Sequence, residues 1–311
     1  MKNNEYFDIF IPSYHRPNNC KTAVFFIKKV CWAPDKVHIF IDSETDDIPE
    51  YKALAHRLGC QLHVFNMKEA RARYDYVHRA SVSRRSAGQA RNMMQDFARE
   101  NNIDFYMVQD DDTLSYQIRW LNKNRMANSE DIKKAFASVR KFMQKHHIGL
   151  FGLSQSGDLI GGCKDNLIFR KKVMNTTFVL PMYIDRGERG VQDDDTSQFA
   201  DIMNEGLFTG SFRYGLVLSQ AQSAKQAGGL TDLYNECKLL NKALVVPIQH
   251  PTCAIAEKQK KNGGRLHHRI NYRYLFPCIL KNEGGRSNIA WDTYPEDFPF
   301  SNEPKKRKYI L

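Results

Sequence analysis

Phe105-Tyr-Met-Val-Gln-Asp-Asp-Asp-Thr-Leu114 is a mostly apolar run that ends abruptly in three carboxylates, Asp110, Asp111 and Asp112. It reads as a buried strand whose C-terminal end meets solvent with concentrated negative charge. In an open α/β sheet, ligands collect in the crevice beyond the carboxyl ends of the strands. Adjacent carboxylates repel one another and raise each other's pKa unless a cation offsets them. Hard oxygen ligands suit Mg²⁺ or Mn²⁺. Taken alone, three consecutive aspartates describe an idle solvated turn equally well, so their meaning rests on the surrounding chain.

Upstream, Tyr6-Phe-Asp-Ile-Phe-Ile-Pro12 reads as a first strand stopped by proline. Ser13-Tyr-His-Arg-Pro17 follows as a loop, and Asn18 or Asn19 can cap a helix with Ala23, Phe26, Ile27 and Val30 on one face. Val37-His-Ile-Phe-Ile41 is a second strand ending at Asp42, Glu44, Asp46 and Asp47. Pro49 opens a helix to Leu58, and Gln61-Leu-His-Val-Phe65 is a third strand. Strand, helix and strand at short spacing are the signature of βαβ units in a parallel sheet.

A basic stretch follows, with Arg71, Arg73, Arg79, Arg84, Arg85 and Arg91. Inside it, Ser86-Ala-Gly-Gln-Ala-Arg-Asn92 starts a helix with Ala87, Ala90, Met93, Met94 and Phe97 on one face. Ser86 and Gly88 are small enough for a ligand to approach the backbone. Free N–H groups at a helix N-terminus, with Arg91 one turn in, predict a pyrophosphate site. A nucleotide diphosphate bridged by a metal is the simplest ligand that uses both this helix and the aspartates.

Further on, the pattern predicts a helix over Ile132 to His146 and strands over Ile148–Leu153, Ile168–Met174 and Thr177–Tyr183, with Gly157, Gly161 and Gly162 in a flexible loop. A second acidic cluster, Gln192-Asp-Asp-Asp-Thr-Ser-Gln-Phe-Ala-Asp201, reads as a helix N-terminus, where acidic residues favour the dipole. Capping alone would account for it. Leu233, Cys237 and Leu240 suggest a helix, and Leu244-Val-Val-Pro-Ile-Gln-His250 a late strand. After Thr252 the composition changes. Lys258, Lys260, Lys261, Arg265, Arg269 and Arg273 alternate with His267, His268, Tyr272, Tyr274 and Phe276. Basic residues track phosphates and aromatic rings stack on bases, which makes this the best DNA-binding candidate. A basic lid over donor phosphates reads equally well. Pro304-Lys-Lys-Arg-Lys308 is an electrostatic arm or an import signal.

The chain has 311 residues, 42% hydrophobic, and a net charge of +11. That charge suggests an anionic partner such as nucleic acid or a nucleotide. Its seven cysteines are scattered without a Cys-x-x-Cys pair, which predicts reduced thiols in the cytoplasm rather than a disulfide framework or a zinc site. No apolar run approaches the roughly 20 residues of a membrane span, and the N-terminus runs directly into a strand without a secretory pattern. The expected organisation is one α/β unit over residues 1–252, with a nucleotide-sugar half (1–112) and an acceptor half (113–252), followed by a basic extension (253–311).

In order and spacing these stretches resemble glycosyltransferases of the GT-A fold. The pieces are Ile11-Pro-Ser-Tyr-His-Arg-Pro17, the Asp42 to Glu44 strand end, Ser86-Ala-Gly-Gln-Ala-Arg-Asn92, Asp110-x-Asp112 and Asp193-Asp-Asp195. Ile-Pro-Ser-Tyr with Ser-Ala-Gly-Gln-Ala-Arg-Asn and the basic tail look most like the TET/JBP-associated DNA-base glycosyltransferases of bacteriophages and the related base J glucosyltransferases. The resemblance implies a Rossmann-type mixed sheet flanked by helices. It also implies transfer of a sugar, usually from UDP-glucose, onto the hydroxymethyl group of hydroxymethylcytosine or hydroxymethyluracil in DNA.

Under this resemblance Asp110 and Asp112 would hold Mn²⁺ or Mg²⁺, with His250 a further ligand or a phosphate contact. Pro12, Ser13, Tyr14, Arg16, Asp42, Glu44, Ser86, Gly88, Gln89, Arg91, Asn92, Asp110 and Asp111 would bind the nucleotide sugar. Within that set, Asp42 or Glu44 would meet uracil or ribose, Arg16 and Arg91 phosphate or sugar, and Asp111 the ribose. Asp194, with Asp193 second, would be the general base of an inverting displacement. Three other readings compete. An enzyme glycosylating protein, lipid or polysaccharide would share every residue up to His250. A sugar nucleotidyltransferase would need a glycine-rich loop after strand one, where this chain has Ser13-Tyr-His-Arg16. A non-catalytic nucleic-acid-binding protein explains the charge but not two clusters of three aspartates.

Overall fold

In β1 (Asp8–Pro12), Ile9 and Ile11 enter one hydrophobic cluster and Phe10 enters another. That two-sided burial is what a central parallel strand requires. In the computed structural model β1 lies between β2 (Val37–Asp42) and β4 (Tyr106–Gln109), parallel to both, and β3 (Gln61–Phe65) pairs parallel with β2. The model describes residues 6–18, 20–74, 86–120, 123–155, 167–169, 172–184, 187–190, 192–207, 209–220, 240, 242–259 and 264–275. Arg79, Arg84, Arg85, Lys260, Lys261 and the Pro304–Lys308 run lie outside the described residues, as does the side chain of Arg273.

The sheet continues with β5 (Thr113–Trp120), β6 (Lys123–Met126), β7 (Leu150–Gln155), β8 (Leu167–Phe169), β9 (Thr176–Val179) and β10 (Thr209–Gln220). Its ten strands run β3-β2-β1-β4-β9-β7-β10-β5-β6, with β8 paired to β10. β9 is antiparallel to β4 and β7, and β10 pairs antiparallel with β5. This is the mixed, helix-flanked sheet expected of a GT-A glycosyltransferase.

One apolar cluster joins Ile9, Ile11, Ile39 and Phe178 to Phe26 of the turn following α1 (Lys21–Val24), to Tyr51 of α2 (Ile48–Leu58) and to Phe136 of α5 (Ser129–His146). On the other face Phe10, Phe40, Tyr106 and Val108 pack with Met67 and Ala70 of α3 (Met67–Arg73), Met94 of α4 (Ala87–Glu100) and Ile202 of α6 (Asp194–Asn204). Because the parallel strands are sealed on both faces, their C-terminal ends at Pro12, Asp42 and Gln109 are where polar side chains gather.

Two segments differ from expectation. Residues 242–249 form a helix, α7, where the β-branched run predicts a strand. Val245 is buried, and Ala243, Val246 and His250 are buried at the helical spacing i, i+3 and i+7, so tertiary burial overrides local β preference. The basic-aromatic segment is a hairpin of β11 (Ala254–Lys258) and β12 (Leu266–Ile270) followed by the short helix α8 (Tyr272–Leu275). Ile270, Leu275 and Cys253 pack on Phe199, Ala200 and Met203 of α6, which ties the hairpin to the second acidic cluster.

Beside α4, His38 Nε2 lies 2.9 Å from Asp8 Oδ1, and His38 Nδ1 lies 2.9 Å from His63 Nε2. Burial, with His38 adding repulsion, lowers the His63 pKa from 6.5 to about 4. A histidine with a depressed folded pKa contributes stability above its unfolded value, and that stability drains as pH falls towards the folded value. Urea unfolding is therefore expected to lose on the order of 2 kcal/mol between pH 6.5 and 4 from this group. His63→Gln should flatten that part of the stability curve, and an unchanged slope would refute the assignment.

Candidate active site

The acidic turn after β4 is rigid. Thr22 on α1 donates its hydroxyl to Asp110 O at 2.5 Å and accepts from Thr113 N at 2.9 Å, while Thr22 N donates to Asp111 O at 3.2 Å. The fully buried Gln109 donates to Thr113 Oγ1 at 2.7 Å and accepts from Tyr116 and Thr176. On this frame the three carboxylates diverge. Asp111 turns inward, accepting from Ser13 Oγ at 2.6 Å and Arg16 Nη1 at 2.9 Å. Tyr51 hydroxyl sits 2.7 Å from Ser13 Oγ and accepts from Arg16 N at 2.9 Å, which closes the β1 exit loop around Asp111. Asp110 is the most open of the three, its side chain 30% exposed and 3.0 Å from Arg91 Nη2. Burial, with Asp110 and Asp111 adding repulsion, raises the Asp112 pKa to about 6. Burial likewise raises Asp111 despite Arg16. Asp112, pushed up by burial and its acidic neighbours, and the more open Asp110 are hard oxygen donors whose crowding a divalent cation would relieve, so this pair fits Mg²⁺ or Mn²⁺.

The second acidic cluster starts α6, and its aspartates go to three different cations. Asp193, in the left-handed region at φ 53°, meets Lys242 Nζ at 3.4 Å and His268 Nδ1 at 3.2 Å. Against the burial that would raise it, His268 and Lys242 hold its carboxyl below the usual range. Asp195 meets Lys172 at 3.0 Å. Asp194 alone of the three pairs with Arg91, whose Nη1 is 3.0 Å from Asp194 Oδ2. Arg91 therefore spans the two acidic corners, touching Asp110 with one nitrogen and Asp194 with the other. Its Nη1 also lies 3.4 Å from Glu188 Oε2. Burial disfavours the guanidinium's charge, but Glu188, Asp194 and Asp110 outweigh it and hold Arg91 firmly charged. Glu188 is driven the other way. Burial, with Asp194 and Asp195 adding repulsion against Arg91, pushes its carboxyl well above the ordinary range.

The family model of the TET-associated glycosyltransferases matches residues 7–229. The chain belongs to this family. Among solved structures it is similar to glucosyl-3-phosphoglycerate synthase from Mycobacterium tuberculosis in complex with Mg²⁺ and UDP. That match has a TM-score of 0.48 and 9% identity over 87% of this chain and 88% of that one. The same synthase with Mn²⁺, UDP-glucose and phosphoglyceric acid matches with a TM-score of 0.45 and 10% identity over 91% of each chain. A mannosyltransferase from Pyrobaculum calidifontis in complex with GDP-mannose and Mn²⁺ matches with a TM-score of 0.42 and 11% identity, covering 70% of this chain and 58% of that one. No curated protein sequence matches the chain.

Around the two acidic corners, the other sequence-predicted residues fall into three groups. Pro12, Ser13, Tyr14 and Arg16 follow the C-terminal end of β1, and the Tyr14 ring lies 4.0 Å from His15. Buried Asp42 accepts from Glu44 N at 2.8 Å, whereas Glu44 turns outward to a bidentate pair with Arg71 at 2.9 and 3.1 Å. At the start of α4, Ser86 N donates to Gln89 Oε1 at 3.0 Å, while the buried Gln89 Nε2 has no hydrogen-bond partner among the described residues. Gly88 and Asn92 face the 187–190 loop. A Cβ on Gly88 would come within 3.2 Å of Glu188 Oε2, and Asn92 bonds both backbone groups of Glu188 at 2.8 and 2.6 Å.

His250 ends helix α7, not a strand. It is buried against α6, 3.2 Å from Ser197 Oγ and 3.9 Å from Asp201. It therefore does not stand at a strand end, the placement expected from the sequence, but packs along the first two turns of α6. In the hairpin Lys258 and Arg269 are exposed, Arg265 is half-buried, and Arg269 pairs with Glu257 at 2.9 Å. Glu188 is the residue that sequence reasoning missed. Its one signal is the Gly187-Glu188-Arg189-Gly190 pattern, in which Gly187 permits close approach to Asn92 of α4 and Gly190 to Val245 and Asp194.

Proposed function

We propose that this glycosyltransferase is metal-dependent and transfers a sugar, with UDP-glucose the first candidate donor, onto the hydroxymethyl group of hydroxymethylcytosine or hydroxymethyluracil in DNA. The observation that carries this reading is the junction of the two acidic corners. Asp110, beside Asp112 at the end of β4, and Asp194 at the head of α6 share one guanidinium. A donor site and a base for the acceptor must lie this close if one displacement is to use both.

In this reading Asp110 and Asp112 hold Mn²⁺ or Mg²⁺. The bound cation would supply Lewis-acid stabilisation of the departing nucleotide diphosphate. Asp111 fixes the Ser13 and Arg16 loop, which with Pro12, Tyr14 and Asp42 forms the floor for uracil and ribose. The N-terminus of α4, with the Ser86 hydroxyl and Gln89 Nε2, offers donors to phosphate. Asp194 accepts the proton of the acceptor hydroxymethyl as its oxygen bonds to the anomeric carbon, on the face opposite the departing diphosphate. The base reaches the site extruded from the duplex. Membership of a TET-associated family, the net charge of +11 and the exposed basic hairpin support DNA as acceptor. Cys20, Cys31, Cys60 and Cys253 are free thiols, in keeping with the cytoplasm. Among the described residues no helix is long and apolar enough to cross a membrane.

The test is nucleoside mass spectrometry of hydroxymethylated duplex DNA after incubation with a panel of UDP-sugars, with and without Mn²⁺. A hexose on the modified base only when metal is present is the expected result. Transfer to protein, lipid or polysaccharide with DNA left unmodified would overturn the acceptor. Turnover unaffected by chelation would overturn the metal.

A further inference from the structure

The geometry points to Arg91 as a positioning residue that competes with the cation for Asp110 and thereby couples the metal corner to Asp194. The inference rests on the proposed metal role of Asp110 and Asp112 and goes beyond it. A phosphate-binding arginine would present its fork to a ligand. Here both terminal nitrogens are occupied by carboxylates from β4's turn, the 187–190 loop and α6, at 3.0 Å from Asp110, 3.4 Å from Glu188 and 3.0 Å from Asp194. The arrangement is held on every side. Asn92, one residue along α4, clamps the Glu188 backbone with two hydrogen bonds, and Gly88 lets the loop approach the helix. The planar fork is fixed where it can reach two separate acids at once, which a lysine point charge cannot match.

The charge balance gives the fork its second property. One guanidinium faces three carboxyl groups, and a cation bound at Asp110 would compete with Arg91 Nη2 for the same carboxylate. Without a cation, Arg91 offsets charge at both corners. With one, Asp110 would be shared with the metal, and the fork would lean more on Asp194 and Glu188. The setting of Asp194 then depends on whether the donor's cation is in place.

Mn²⁺ binding to the full chain without nucleotide tests this by calorimetry or electron spin resonance. Arg91→Gln is expected to bind Mn²⁺ about tenfold more tightly, since a positive charge beside a ligand is removed. Arg91→Lys should fall between, at roughly threefold. Asp194→Asn keeps the arginine but frees it to lean on Asp110, and should weaken Mn²⁺ by roughly threefold. In transfer assays Arg91→Gln should lose about a hundredfold in kcat with the donor KM within about threefold. Unchanged or weaker Mn²⁺ binding in Arg91→Gln and Arg91→Lys would overturn the coupling. So would a raised donor KM with kcat retained, which marks a phosphate clamp. A wild-type chain that binds no Mn²⁺ would overturn the metal corner itself, and the coupling with it. Normal wild-type binding that the three variants leave unchanged would overturn the coupling alone.

Discussion

Asp194→Asn is expected to lower sugar transfer about a thousandfold in kcat while moving the donor KM by no more than about threefold, the range in which removal of a general base falls. The isosteric amide still accepts from Arg91 through Oδ1, so the change removes basicity and spares the packing. The neighbouring acids are poor substitutes, each for its own reason. Burial pushes the Glu188 carboxyl well above the ordinary range, and Asn92 clamps its backbone to α4. Asp195 is tied to Lys172. Asp193 is occupied on one oxygen by Lys242 and on the other by His268. Asp193→Asn should therefore behave differently: it loosens the hairpin from α6 and raises the acceptor KM more than it lowers kcat. Steady-state kinetics on both variants separate the roles. A larger kcat loss in Asp193→Asn than in Asp194→Asn would reverse the assignment.

The parts of this site that were legible in the sequence are those whose physics is local. β1, β2 and β4 are buried on both faces, so they read as near-continuous apolar runs, and the polar residues that end them mark the crevice directly. Gln109 and Thr113, flanking the aspartates, have a function that a one-dimensional pattern does not carry, because their partners Tyr116, Thr176 and Thr22 are brought in by other elements. Arg91 shows the limit most clearly. Its place one turn into a helix behind Ser86 suggests phosphate, yet it meets Glu188 and Asp194, which lie 97 and 103 residues away along the chain. The same holds for the apolar face of α4. Ala90 and Met94 are buried as periodicity predicts, but Gln89, Asn92 and Gln95 are buried too, because the 184–190 segment covers the helix's polar side. The Leu244–His250 run failed for the converse reason: β-branched composition is a weak local preference, and packing of Ala243 and Val246 decided for a helix.

The combined Lys258→Ala, Arg265→Ala and Arg269→Ala variant is expected to weaken DNA binding by more than about a hundredfold at low salt and to flatten the log–log salt dependence by about 2 to 3, roughly one unit per lost phosphate contact. The hairpin is presented rather than buried. Its floor is pinned by Cys253, Ile270 and Leu275 on α6 and by His268 on Asp193, so its outer residues are displayed beside the proposed base. Arg269 is paired with Glu257, but both side chains are well exposed, and such a pair is worth too little to withhold the guanidinium from a phosphate. Tyr274, 69% exposed on α8, adds a ring on which an unpaired base can stack, and Tyr274→Ala should weaken single-stranded binding by about tenfold or more. The lid reading makes the opposite forecast. If the hairpin closes over the donor, the triple variant raises the donor KM and leaves the salt slope for DNA unaltered. Fluorescence anisotropy of a labelled duplex across a salt series, run beside donor kinetics, decides between them. In the proposed DNA reading the hairpin's anchor is the helix that carries Asp194, so gripping the acceptor's backbone there would fix the distance between its hydroxymethyl group and the base.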